Sequence, residues 1–172
     1  AWRERDRNTR HGILIALLLM TTLALAIGAA EITAFATISD HYEAIRLVLI
    51  EDSTEGVAKH AEAIARTAHA LSANYSDEAA GVKPGGGATV KALLPEIQER
   101  ASQVARSNDL ETVRSEMAEL TKPLVRWHEL VEGTRPVVAY CSMVKKAWIQ
   151  PDEAIGNPYA PYMLRCGEVV QR

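Results

Sequence analysis

The chain has 172 residues, a formal net charge of -3, only 5% aromatic residues and two cysteines. Set apart from an apolar N-terminal run, that length suits one domain with a modest core. The charge balance, without a clustered basic surface, excludes an ordinary nucleic-acid binder, and abundant alanine with few aromatics favours packed helices over a β-sandwich.

Residues 13–35 come first. Ile13 to Ala30 carry no charge, and the apolar character resumes at Ile32, Ala34 and Phe35 after Glu31. Such a run reaches across a hydrocarbon core of roughly 30 Å at 1.5 Å per helical residue. Residues 1–12 precede it with Arg3, Arg5, Arg7 and Arg10 outnumbering Glu4 and Asp6, the mark of a cytoplasmic flank. The expected topology is a single-pass anchor in a bacterial inner membrane, with the N-terminus cytoplasmic and everything after residue 35 periplasmic. A cleavable signal peptide is the competing reading, since Gly28, Ala29 and Ala30 are small. Both readings export the C-terminal part.

Residues 36–135 read as a helical bundle. Ser39 and Asp40 are candidate caps for a helix carrying Ile45, Val48 and Leu49, broken at Asp52-Ser53-Thr54. Val57, Ala61, Ile64, Ala65, Ala68 and Leu71 mark the face of a second helical run ending near 73. The stretch 74–89, with Gly81, Pro84 and Gly85-Gly86-Gly87, reads as a flexible surface loop. Its triglycine lacks the Gly-Lys-Ser/Thr ending and preceding strand of a phosphate loop. Leu93, Leu94, Ile97, Ala101 and Val104 predict a helix over 90–107. The Asn108-Asp109 step caps another that carries Leu110, Val113, Met117, Leu120, Leu124 and Val131.

Residues 136–172 hold both cysteines. Val137 to Tyr140 predicts a short extended piece, and the turn signals Gly156-Asn157-Pro158 and Ala160-Pro161 fold the segment back so that Cys141 and Cys166 come within reach. The expected fold is therefore mainly α: one N-terminal transmembrane helix, then a three- to four-helix up-and-down bundle, closed by an irregular C-terminal segment.

Cys141 with Met143, and Met163 with Cys166, deliver two thiols and two thioethers as a mirrored pair. Two chemistries compete. In an oxidising compartment a lone cysteine pair in a loop-rich segment forms a disulfide. Converging thiolates and thioethers instead select soft ions such as Cu(I) or Ag(I), with His128 able to approach because its helix leads into the segment. Free thiols are the third possibility. His60 and His69 are nine residues apart on one helix and cannot share an ion without help from another segment, while His41 stands alone in sequence. No nucleophile elbow, zinc-protease pair or dinucleotide turn occurs, and the acids Glu96, Glu99, Glu111, Glu116 and Glu119 read as a solvated face. No enzyme is expected.

The C-terminal segment resembles a small exported domain of uncharacterised function, found alone or at the C-terminus of CusB-type periplasmic adaptor proteins of heavy-metal efflux systems. The matching residues are Tyr140, Cys141 and Met143; Trp148 and Ile149; Glu153, Ile155, Asn157, Pro158 and Tyr159; and Met163, Leu164, Cys166 and Gly167. Ser142 stands in place of the family's usual proline, Gly156 in place of a common arginine, and Ala160-Pro161 alters the following turn. The likeness spans about residues 136–170. It implies a membrane-tethered version of that accessory domain, handling copper or silver for efflux components. The alternative is a non-catalytic single-pass subunit that docks on the periplasmic face of a larger membrane protein complex.

Overall fold

Thr33 caps the first described helix: its side chain accepts a hydrogen bond from the Ala36 amide at 3.2 Å at the start of the 17-residue α1 (Ala34–Ile50). The computed structural model describes residues 32–172. Most of the hydrophobic run, with its flank and topology, lies outside the described residues. Its last residues belong to the domain instead, since Phe35 is buried edge-on against Trp127 with ring centroids 5.4 Å apart. Among the described residues, no helix is long and apolar enough to cross a membrane.

The start of α1 corrects the expected cap at Ser39 and Asp40. Phe35, Ile38, Tyr42, Ile45 and Leu49 recur at spacings of three and four and form one buried stripe. A cap at 39 would have removed its first two members. The chain turns through 51–56, where Asp52 (φ 53°) and Gly56 (φ 78°) adopt left-handed backbone, and returns as α2 (Val57–Ala73). α4 (Gly87–Arg106) and α5 (Leu110–His128) complete four long helices among the described residues; of the expected Asn108-Asp109 step it is Asp109 that caps α5, through the Thr112 amide at 2.9 Å, and the helix ends before Val131. Ile64, Leu93, Ile97, Met117 and Leu120 are inaccessible at the centre. Burial of side chains this size contributes about 1.5–3 kcal/mol each relative to exposure.

The segment read as a flexible loop, 74–89, takes a built path. Ser76 caps a single turn, α3 (Asp77–Ala80), and Val82 bridges to Val131. Lys83 N–H donates to Leu130 O and Glu132 N–H to Gly81 O, both at 2.9 Å. Gly87 lets the Asp77 carboxylate pack against its backbone, and a Cβ there would displace that side chain. Composition alone hid this, because the stabilising partners lie about fifty residues away in sequence.

The C-terminal segment is not irregular. β1 (Val137–Cys141), β2 (Lys146–Gln150) and β3 (Glu168–Gln171) make an antiparallel sheet in the order β2-β1-β3, with a register shift between Val138 and Ala139 on the β3 side. The extended piece expected at 137–140 is its central strand. Trp148 and Ile149 from β2 and Val138 and Ala139 from β1 join the hydrophobic core with the helices.

Candidate functional site

The candidate site is the lobe that the two cysteines close. Cys141 ends β1 fully buried, Cys166 sits half-buried before β3, and the two are joined as a disulfide with Cα atoms 5.8 Å apart. Of the three expectations for the thiols, the disulfide is the one the structure contains. Neither sulfur is then a thiolate, so the five-donor set Cys141, Met143, Met163, Cys166 and His128 does not assemble in this form. Met143 stands 71% exposed on the β1–β2 turn. Met163 ends a short 3-10 turn (Pro161–Met163) and accepts the Cys166 amide on its carbonyl at 2.8 Å.

His128 lies at the other end of β1. Its Nε2 donates to the Pro136 carbonyl at 2.6 Å, and the five residue steps from Pro136 to Cys141 span about 16 Å of extended chain. The ring is inaccessible, and among the described residues its Nδ1 has no hydrogen-bond partner. Burial, with Arg135 adding repulsion, lowers its pKa from 6.5 against the opposing Pro136 hydrogen bond. The folded state therefore binds this proton more weakly than the unfolded chain. Stability is fully present above the unfolded value near 6.5 and falls as pH drops through the lowered folded value. Urea midpoints measured from pH 7.5 to 5 should decline, and His128→Gln, which keeps an N–H for Pro136, should flatten part of that decline.

The remaining motif residues interlock around Trp148. Tyr159 meets its ring edge-on, with centroids 6.3 Å apart. A Cβ at Gly167, which has φ +151°, would come 2.5 Å from the Trp148 ring, so only glycine lets the chain pass there. Trp148 Nε1 donates to Gln150 Oε1 at 2.6 Å. Asn157 holds both sides of its turn: its Nδ2 donates to Cys166 O at 3.0 Å, and its Oδ1 accepts the Tyr159 amide at 2.9 Å. Pro158 O accepts from Arg114 Nε at 2.8 Å, which ties the turn to α5. Tyr140 is half-buried on β1, paired with Ala147 and Glu168.

Two features of the lobe had escaped the sequence reading. A buried hydroxyl cluster runs from helix to sheet: Thr121 Oγ1 donates to Met117 O, Tyr42 donates to Thr121 at 2.6 Å, and Tyr159, whose hydroxyl lies 3.4 Å from Thr121 Oγ1, donates to Ala147 O at 3.0 Å. Burial pushes Tyr42 up to about 12 and Tyr159 well above its usual value, so both remain neutral donors. Arg46 is 6% exposed, with two donors on Glu43 and one on Gly156 O, all at 2.6 Å. Its guanidinium fills the space that a side chain at 156 would need, which explains glycine there.

Compared with known proteins, the chain matches no family model, no curated protein and no solved structure.

Proposed function

We propose that the chain is a non-catalytic accessory subunit of a membrane protein complex, exported and tethered by the uncharged apolar run from Ile13 to Ala30, with its C-terminal lobe as the contact surface. The observation that carries this reading is the Cys141–Cys166 disulfide. Such bonds persist in oxidising compartments, which agrees with export, and this one uses the thiols for structure. It also pins together two segments that carry exposed apolar side chains, Met143 at 71% and Tyr162 at 81%. Single exposed apolar side chains are ordinary and only a contiguous patch marks a contact surface, so these two segments, joined by the bond, are taken as parts of one docking face. The occupant that suits a tethered domain is the periplasmic face of a neighbouring membrane protein.

Detergent extraction followed by affinity purification of the full chain tests this. The expected result is a stoichiometric membrane-protein partner, lost on Met143→Asp with Tyr162→Asp while the melting temperature holds. Recovery as an isolated chain, or retention of the partner by that variant, counts against it.

A second reading, copper or silver handling for an efflux system, is favoured by the closeness of four sulfur-bearing residues in sequence around one bond. It requires a thiol reductant to supply two electrons and two protons, opening the disulfide to two thiols beside Met143 and Met163. The same purified protein, reduced and titrated with Cu(I), separates the readings: thiols protected from alkylation by the ion favour metal handling.

A further inference from the structure

The hairpin of α1 and α2 brings together two histidines that lie nineteen residues apart. His41 Nδ1 and His60 Nδ1 face each other at 3.1 Å, with ring centroids 5.3 Å apart and planes inclined at 47°. Both rings are partly buried. Two nitrogens at that distance share one proton, one ring donating and the other accepting. Two charged imidazoles would repel there. Burial, followed by the proximity of His60, lowers the pKa of His41 and favours its neutral, ligating form.

We propose that His41 and His60 form a bidentate site for a borderline divalent ion of the Zn2+, Cu2+ and Ni2+ class. This inference stands apart from the docking reading and from the sulfur-bearing lobe. Imidazole nitrogen is a preferred ligand of that class. Metal–nitrogen bonds of about 2.0–2.1 Å with nitrogens 3.1 Å apart subtend an angle of about 100° at the ion. That falls between the square-planar and tetrahedral values. A linear Cu(I) bridge would instead need the nitrogens about 4 Å apart, so the pair as it stands favours four-coordinate ions. On binding, the donor ring moves its proton from Nδ1 to Nε2, both Nδ1 lone pairs turn to the ion, and no proton is released.

The surroundings set the strength. Asp40 favours a cation at this place, and Lys59 and Arg66 oppose it. Arg66 is partly offset by Glu62 at 3.5 Å. Among the described residues no third His, Cys, Asp or Glu completes a cluster, so water or a bound molecule supplies the remaining positions.

The test uses the full chain with Cu2+ and with Zn2+ alone as probes. Calorimetry should show an ion whose affinity falls at least tenfold in both His41→Gln and His60→Gln and holds in His69→Gln, a neighbour on α2 outside the pair. The Cu2+ spectrum should show coupling to two imidazole nitrogens, and Zn2+ should raise the melting temperature of the unaltered chain but not of either variant. Equal affinity in the unaltered chain and the double variant, with both folded by circular dichroism, would overturn the site.

Discussion

Arg46→Ala should cost about 3 kcal/mol, the lower end of the range for breaking a buried ion pair, because Glu43 keeps 22% side-chain exposure and is partly solvated. The loss has two parts. Glu43 loses a two-pronged partner held at 2.6 Å, and the carbonyl of buried Gly156 loses the donor that fixes the turn before Asn157. For a domain of this size the shift corresponds to roughly 10 °C in melting temperature. Urea unfolding should show a lower midpoint with an unchanged slope, the sign of altered stability rather than altered compactness. The double variant Arg46→Met with Glu43→Gln should recover much of the loss, since exchanging both members of a buried pair is far milder than orphaning one. A single-variant loss below about 1 kcal/mol, the scale of a surface pair, would mean that Arg46 does not hold the lobe to α1.

The helices were legible where polar residues framed the apolar period. Val57, Ala61, Ile64, Ala68 and Leu71 on α2, and Val113, Met117, Leu120 and Leu124 on α5, are buried as their spacing required, while Ala65 and Leu110 are half-buried at the edges of those faces. The start of α1 was not, because Phe35 and Ile38 follow an apolar stretch in which no period stands out. Strand β1 announced itself by Val137 and Val138. Its partners, Lys146–Gln150 and Glu168–Gln171, are short and half polar, and their pairing depends on neighbours outside their own sequence. The closeness of Cys141 and Cys166 followed from the intervening turns. The meeting of His41 and His60 had no local signal, since it depends on the hairpin geometry that Asp52 and Gly56 establish. Arg46 escaped for a related reason: its acceptor, Gly156, is 110 residues away.

Reduction of Cys141–Cys166 should lower stability by about 3.5 kcal/mol, the chain-entropy value for a sequence separation of 25 residues. The effect acts mainly on the unfolded chain, which gains the freedom the bond withholds. The folded lobe retains Asn157 on Cys166 O, Asn157 N–H on Leu164 O at 2.9 Å, Arg165 on Ile155 O at 2.8 Å, and the Trp148–Gly167 contact. Near-ultraviolet dichroism should therefore change little under mild reductant while the urea midpoint falls. Reduction is a cleaner probe than Cys141→Ala, because Cys141 is fully buried and truncation there adds a cavity penalty. The double variant Cys141→Ala with Cys166→Ala serves as the control, and its midpoint should ignore reductant. If the midpoint of the unaltered chain holds after mass spectrometry has established two free thiols, the bond contributes little to stability. The sulfur pair would then be free to open and close at no cost to the fold, as a site for a soft ion requires and a structural staple does not.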